Sequence, residues 1–220
     1  MAVRAVFFDV GETLVDETRL WRAWADWLGV PHFAFFAMMG AGIERDEHHQ
    51  RVFDLVRPGF DLEREEATRV AAGVPNGFTA EDIYPDVVPC LRELRAAGYL
   101  LGIAGNQPAA AERVMAELGV PVEVVASSQT WGVEKPSRAF FERIVREAGV
   151  PAHEIAYVGD RLDNDVLPAL ASGMVAVHLR RGPWGYLHAL RPEAQRAHLR
   201  LDSLAALPDA LRRFSQTGDS

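Results

Sequence analysis

One lysine and several acidic residues of this sequence lie just beyond short apolar runs. The run at 3–8 precedes Asp9 and Glu12, the run at 122–126 is followed after a loop by Lys135, and the run at 155–158 precedes Asp160, Asp163 and Asp165. If the runs are parallel strands, these side chains gather at one edge of a sheet, where like charges repel unless a cation lies among them. Ligands that are all oxygen favour Mg²⁺, which also binds phosphate oxygens.

The elements that must position these residues alternate along the chain. Apolar runs predict strands at 3–8, 99–104, 122–126, 155–158, 175–179 and 199–201. Amphipathic stretches predict helices at 87–97, 109–118, 138–148 and 207–214, with a further helix beginning near 165. Strands that alternate with helices of this length predict a mostly parallel sheet covered on both faces. The expected fold class is α/β, with a Rossmann-like core.

Residues 16–83 interrupt this alternation. Helical spacing of apolar residues recurs at 17–28, 33–39, 46–56 and 62–72, and no strand pattern occurs between 15 and 83. We therefore predict two domains. Residues 1–15 and 84–220 form the α/β core, and residues 16–83 form an inserted all-helical domain of a size compatible with a small cap.

Composition excludes several classes of protein. The 220 residues carry a formal net charge of −8, and a surface of that sign repels nucleic acid and anionic lipid. Cys90 is the only cysteine, which excludes an internal disulfide and favours a reducing compartment. No apolar run is long enough for a membrane span or a signal peptide. We expect a cytoplasmic protein with a small-molecule substrate, no nucleic-acid partner, no membrane contact and an oligomeric state that the sequence does not specify.

Four segments resemble the motifs of the haloacid dehalogenase superfamily. They are VFFDVGETLVD at 6–16, LLGIAGNQP at 100–108, GVEKPSRAFFERI at 132–144 and YVGDRLDNDVLPALASGM at 157–174. The segments occur in the family's order, and the helical insertion falls at the commonest position of the family's cap. The sequence is similar to the phosphatase-like branch of this superfamily.

The resemblance implies covalent catalysis at Asp9. Asp9 would attack phosphorus and form an aspartyl-phosphate, which divides one difficult displacement into two easier ones. Lys135 would neutralise the nucleophile and the transferring phosphoryl group. Asp160 and Asp165 would hold Mg²⁺. The Asp9 carboxylate and the backbone carbonyl of Gly11 would complete its protein ligands, and the substrate would be a small phosphorylated metabolite.

Two positions depart from the family's pattern. Gly11 stands where its phosphatases carry an aspartate that acts as general acid and then as general base. Gly105, followed by Asn106, stands where a Ser or Thr hydroxyl holds a phosphoryl oxygen, so these two residues and Lys135 are the predicted phosphate-binding positions. Loss of an acid–base group costs roughly 10²–10⁴ in rate. Glu12 is the candidate to replace it, although neighbouring residues at a strand end point apart.

Three functions remain open. The first is a Mg²⁺-dependent phosphatase. The second is a binding or regulatory protein that keeps the fold and the metal site without turnover, which Gly11 and Gly105 motivate. The third is a haloacid dehalogenase, in which Asp9 attacks carbon without a metal. The dehalogenase ranks last, because a halide-releasing site has no need of the negative charge of Asp160 and Asp165.

Overall fold

Six parallel strands form the sheet of the structure, which is a computed structural model describing residues 2–48, 50–74 and 77–217. The strands are β1 Ala5–Phe8, β2 Leu100–Gly105, β3 Val124–Ser127, β4 Ile155–Gly159, β5 Val175–Leu179 and β6 Leu199–Leu201. Their order across the sheet is β3-β2-β1-β4-β5-β6, and every neighbouring pair is parallel. The prediction of an α/β, Rossmann-like parallel sheet is confirmed.

The chain folds into two compact units. Met1–Asp16 and Ala80–Ser220 make up the first unit, and Glu17–Thr79 makes up the second. The second unit contains four helices in the part that the structure describes: α1 Thr18–Leu28, α2 His32–Glu44, α3 Arg51–Val56 and α4 Leu62–Ala71. Helix α3 is shorter than the predicted helix at 46–56, because the backbone of Asp46 is left-handed, with φ at 58°. That prediction also includes residue 49, which lies outside the described residues.

Aromatic side chains fill the interior of the second unit. The ring of Trp24 lies 4.8 Å from that of Phe53, which stacks on Phe60 at 4.8 Å. The buried Arg69 places its guanidinium 3.8 Å from the centre of the Trp24 ring. Such ring pairs and cation–π contacts give this unit a core of its own.

Seven helices belong to the described part of the first unit. They are α5 Val87–Ala96, α6 Ala111–Ala116, α7 Ser128–Trp131, α8 Arg138–Ala148, α9 Leu167–Ala171, α10 Gly182–His188 and α11 Leu207–Thr217. Helix α6 is shorter than predicted, and α7 and α10 were not predicted, since helices of four and seven residues are too short to show a clear periodicity. The helix expected from about 165 starts instead as a π-helical turn at Leu162–Val166.

The central position of β1 brings the motif residues together. Phe8 is in register with Ile103 of β2 on one side and with Val158 of β4 on the other. The next residue, Asp9, donates its backbone N–H to the Val158 carbonyl at 2.9 Å. Asp9 therefore lies beside the carboxyl ends of β2 and β4, the edge of a parallel sheet where ligands bind.

The hydrophobic core of the first unit packs helices α8 and α9 against one face of the sheet. Phe7 and Tyr157 from the strands meet Phe140, Phe141 and Ile144 from α8 in this core. All five side chains are almost completely buried. Burial of this kind fixes the strand ends to which the polar residues are attached. None of the described helices combines the length and the apolar character that crossing a membrane requires.

Candidate active site

Three buried carboxylates lie at the carboxyl edge of the sheet. Asp9 follows β1, Asp160 follows β4, and Asp165 lies in the π-helical turn beyond it. Each contributes an oxygen to a group in which these atoms all lie within 4.8 Å of one another. We call Asp9, Asp160 and Asp165 the acidic cluster. The structure thus brings together the three carboxylates that the sequence predicted at one edge.

Lys135 is the cation of this cluster. Its Nζ lies 2.6 Å from Asp9 Oδ1 and 2.6 Å from Asp165 Oδ1, and the side chain is almost completely buried. Burial alone would lower the pKa of Lys135, but the carboxylates of Asp165 and Asp9 outweigh it and the net shift is upward. One ammonium therefore faces three carboxylates, and the cluster carries an excess of negative charge when all of them are ionised.

The excess charge is concentrated at Asp160. Burial, and then the charges of Asp165 and Asp9, raise the pKa of Asp160 well above its ordinary value. Its Oδ2 is buried and accepts no hydrogen bond from any described residue. Burial also raises the pKa of Asp165 to about 6, against the opposing effect of Lys135. Buried anionic oxygens without partners are costly unless a cation satisfies them, so the donor set fits a hard divalent ion such as Mg²⁺.

Backbone contacts fix the two acids that follow β4. The Arg161 N–H donates to Asp165 Oδ2 at 3.0 Å, and the ring of His178 on β5 donates from Nε2 to the Asp160 carbonyl at 3.0 Å. His188 Nδ1 accepts the N–H of Leu162 at 3.0 Å, at the start of the π-helical turn. Burial lowers the pKa of His178 and lowers that of His188 to about 4, so both rings are neutral near pH 7. The motif pattern gave no sign of either histidine.

Asn106 and Gly105 serve the cluster in ways that the sequence did not predict. Asn106 Nδ2 donates to the Lys135 carbonyl at 2.9 Å, and Asn106 Oδ1 accepts the Lys135 N–H at 2.8 Å. The amide therefore fixes the backbone of the lysine. A Cβ at Gly105 would lie 2.5 Å from Asp9 Oδ1. The Asp9 carboxylate thus occupies the space into which a Ser or Thr side chain would extend, and Gly105 itself has only backbone groups to offer a phosphate.

Glu12 is held in an uncommon conformation beside the cluster. Its φ is 52°, in the left-handed region that few residues other than glycine adopt, and its side chain is buried. The Tyr84 hydroxyl donates to Glu12 Oε2 at 2.7 Å. A Cβ at Gly182 would lie 2.5 Å from Glu12 Cγ, so the glycine makes room for the carboxylate. Glu12 also contributes to the raised pKa of Asp160, which places its charge near the cluster.

A second layer of polar contacts supports the loop that carries Glu12. The Arg181 guanidinium lies 4.1 Å from the centre of the Tyr84 ring and donates to the Thr13 carbonyl at 2.9 Å. It also pairs with Asp86, whose Oδ2 accepts the Ser203 hydroxyl at 2.6 Å. Arg181 and Asp86 are 95 residues apart in the chain. No local sequence pattern could reveal a contact over that separation.

A comparison with known families decides the class of the protein. Residues 3–173 match the model of the haloacid dehalogenase-like hydrolases. The chain belongs to this family. This hydrolase is therefore an enzyme, and the resemblance of its four motifs to the superfamily is confirmed.

Individual relatives include both curated proteins and solved structures. The hydrolase is 35% identical over 207 residues to glyceraldehyde 3-phosphate phosphatase of Methanopyrus kandleri, a match covering 83% of this chain and 86% of the relative. A predicted phosphoglycolate phosphatase from Haemophilus somnus 129pt has a similar structure, with a TM-score of 0.72, 21% identity, and coverage of 95% of this chain and 98% of the other.

The structural neighbours also include a 2-haloacid dehalogenase from Pseudomonas syringae pv. Tomato DC3000. Its TM-score is 0.57 at 22% identity, with coverage of 96% of this chain and 99% of the other. Proteins named for two different reactions thus share the fold of this hydrolase. At these identities the likeness shows the fold alone, and the chemistry must be argued from the site.

The charge excess of the cluster predicts a pH-dependent gain in stability for Asp160→Asn. Because the pKa of Asp160 is raised in the folded state, its ionisation destabilises the folded protein as pH rises. In a chelator at about pH 7, we expect the variant to exceed the parent by about 1–3 kcal/mol in unfolding free energy. The difference should vanish below about pH 4, where the carboxyl is neutral in both states. Urea unfolding at several pH values measures it.

Asp163→Asn is the matched control, because Asp163 belongs to the same motif but lies outside the cluster. Burial acts to raise the pKa of Asp163, but Arg161 outweighs it and the net shift is downward. Removing this carboxylate should therefore lower the unfolding free energy at neutral pH, whereas Asp160→Asn should raise it. Equal losses of stability in both variants would contradict the charge excess at Asp160.

Proposed function

We propose that this hydrolase is a Mg²⁺-dependent phosphatase that acts on a small phosphorylated metabolite through a phosphorylated Asp9. The observation that carries the proposal is the position of the Asp9 carboxylate. It lies 2.6 Å from the Lys135 ammonium and beside two further buried carboxylates whose negative charge is only partly compensated. A phosphoryl group is itself anionic, so such a site becomes suitable for it only with an added cation.

The proposed Mg²⁺ would be held by the carboxylates of Asp9, Asp160 and Asp165 and by the backbone carbonyl of Gly11. All of these donors are oxygen atoms, and the buried Asp160 Oδ2 accepts no hydrogen bond from a described residue. When bound, the metal supplies positive charge that attracts the phosphoryl group and offsets the charge that develops on it.

The chain's own residues carry the covalent steps of the proposal. A carboxylate oxygen of Asp9 forms a bond to phosphorus, and the bond from phosphorus to the leaving oxygen breaks. Water then attacks the same phosphorus, which releases phosphate and restores the Asp9 carboxylate. Lys135 keeps Asp9 in position throughout, because its ammonium bridges Asp9 and Asp165 and its backbone is fixed by Asn106. Burial of these groups strengthens each charge interaction.

Proton transfer is the weak step of this mechanism. Gly11 has no side chain with which to protonate the leaving oxygen, and Glu12 is the next residue that carries a carboxyl group. We propose Glu12 as a partial substitute, which supports slow turnover but protonates an alkyl leaving group less well than an aspartate at position 11 would. The support for it is its charge near Asp160, its burial, and a left-handed backbone that is tolerated only where the surroundings enforce it.

The substrate proposed is a phosphomonoester of a few carbon atoms. The name of the Methanopyrus kandleri relative makes glyceraldehyde 3-phosphate a first compound to test.

We further propose that residues 16–83 act as a cap that selects the substrate and that residues 1–15 and 84–220 act as the catalytic core. The support is that the helices from Glu17 to Thr79 form a compact unit with an aromatic core of its own.

The second candidate function is a binding or regulatory protein that has lost turnover. Gly11 favours it, because the position lacks the acid on which the family's phosphatases depend. A dehalogenase remains third, since Asp160 would add uncompensated negative charge next to the halide that has to leave.

Magnesium should make the parent protein more stable than Asp160→Asn, which is the reverse of the order expected in a chelator. The parent binds the ion in its folded state only, so we expect millimolar Mg²⁺ to raise its melting temperature, whereas Asp160→Asn should respond at least about tenfold more weakly in apparent affinity. Asp163→Asn should respond as the parent does.

Phosphate release from glyceraldehyde 3-phosphate and other small phosphomonoesters should require Mg²⁺ and vanish in Asp9→Asn. Binding of Mg²⁺ without turnover of any compound would favour the regulatory protein instead.

The acidity of the leaving group should control the rate of the parent enzyme. Aryl and acyl phosphates leave without a proton, so we expect a burst of product followed by slow turnover as the phosphorylated Asp9 accumulates. Alkyl phosphates should react slowly, Gly11→Asp should accelerate them, and Glu12→Gln should leave the burst largely intact. Rapid-quench kinetics on the three proteins measures each effect. Steady alkyl phosphate hydrolysis that shows no burst and no gain from Gly11→Asp would contradict the partial role of Glu12. Collapse of that steady activity in Glu12→Gln would show that Glu12 replaces the missing acid completely.

A further inference from the structure

One cavity of this hydrolase lies at the ends of β5 and β6. Its volume is about 270 Å³, and its lining includes His178, Arg180, Arg200, Asp202, Ala189 and Ala194. All of these residues follow residue 173, beyond the segment that matches the family model. The volume is below the roughly 300–1,000 Å³ of pockets for drug-sized ligands, so it suits a ligand of a few heavy atoms.

The chain around this cavity is basic in a protein that is acidic overall. Residues 180–200 contain five arginines and a single acidic residue, Glu193, whereas the whole chain has a formal net charge of −8. Arg180 Nε donates to Asp202 Oδ1 at 2.7 Å, which compensates one of the two guanidinium charges in the lining. Arg200 bonds to the neutral side chain of Gln195, so its charge is not compensated in this way.

His178 adds a hydrogen-bond acceptor to the lining. Its Nε2 lies 3.0 Å from the Asp160 carbonyl oxygen, and a carbonyl can only accept, so Nε2 carries the proton. In the neutral ring the other nitrogen, Nδ1, then has a free lone pair. Nδ1 makes no hydrogen bond within the part of the chain that the structure describes. The lining thus combines cationic donors with a neutral acceptor, in addition to the Asp202 carboxylate that already accepts from Arg180.

We propose that this cavity binds a small oxyanion that carries a hydroxyl group. The guanidinium groups of Arg200 and Arg180 contact the anionic oxygens, and the hydroxyl donates to His178 Nδ1. Hydrogen phosphate and short hydroxy acids share this chemistry. The site is separate from the acidic cluster, but the His178 ring connects the two, because its Nε2 donates to the backbone carbonyl of Asp160. The proposal does not depend on phosphatase activity, since it uses none of the catalytic groups.

Calorimetric titration of the full-length protein in a chelator tests the site, with inorganic phosphate as the probe. Without Mg²⁺ the acidic cluster repels anions, so binding reports on the cavity. We expect the parent to bind one phosphate and Arg200→Gln to bind it about tenfold more weakly or not at all, the loss expected for one charged hydrogen bond. Arg196→Gln is the matched control, because Arg196 is exposed in the same basic segment but does not line the cavity. It should bind as the parent does.

Sulfate provides the test of the hydroxyl contact, because it has the shape of phosphate but no O–H near pH 7. We expect it to bind about tenfold more weakly than phosphate, and acetate to bind more weakly than glycolate by a similar factor. Arg180→Gln serves as the second variant if Arg200→Gln does not fold, as judged by circular dichroism. Parent-like phosphate affinity in the arginine variants, equal affinity for sulfate and phosphate, or no binding by the parent would each overturn the proposal.

Discussion

The compensation of three buried carboxylates by one lysine is the constraint on which the rest of this hydrolase depends. Lys135 bridges Asp9 and Asp165 at 2.6 Å each, yet Asp160 keeps a buried oxygen without a partner and a raised pKa. Such an arrangement is unfavourable for stability by itself. The arrangement persists because surrounding contacts hold the charged groups in place. Asn106, for example, fixes the backbone of Lys135 through two hydrogen bonds. Charge that is retained in this way despite its cost is typical of functional sites.

The fold does not determine which reaction this hydrolase catalyses. The residues of the site, including those that depart from the family's pattern, are what distinguish the possible reactions. Structures named as phosphatases and as dehalogenases both resemble this chain over nearly its whole length. The charge at Asp160 argues against the dehalogenase reaction, and the absence of a side chain at Gly11 bears on whether a phosphatase of this kind turns over. In the same loop the backbone of Glu12 is left-handed, its carboxylate accepts a hydrogen bond from Tyr84, and Gly182 leaves space for its side chain. Strain of this kind is maintained at functional sites more often than elsewhere.

The sequence predicted the sheet and the acidic cluster for the same reason. Buried parallel strands are continuous apolar runs, and a residue that follows such a run lies at the ligand-binding edge whatever the rest of the chain does. The π-helical turn that presents Asp165 could not be predicted, because no residue pattern distinguishes it from an ordinary helix start. The pairing of Asn106 with Lys135 and that of Arg181 with Asp86 depend on long-range packing, which periodicity does not report. The predicted roles of Asp9, Lys135 and Glu12 remain proposals about chemistry.

The most direct test of the account is to locate the phosphoryl group during turnover. The protein is mixed with Mg²⁺ and an aryl phosphate, quenched in acid within the burst and digested, and its peptides are mapped by mass spectrometry. We expect a phosphoryl group on Asp9 that is stable in acid and is lost at alkaline pH, as an acyl phosphate is. Asp9→Asn should carry none. Release of phosphate by the parent with no phosphoryl group on Asp9, or with the group on another residue, would contradict the assignment of Asp9 as the nucleophile.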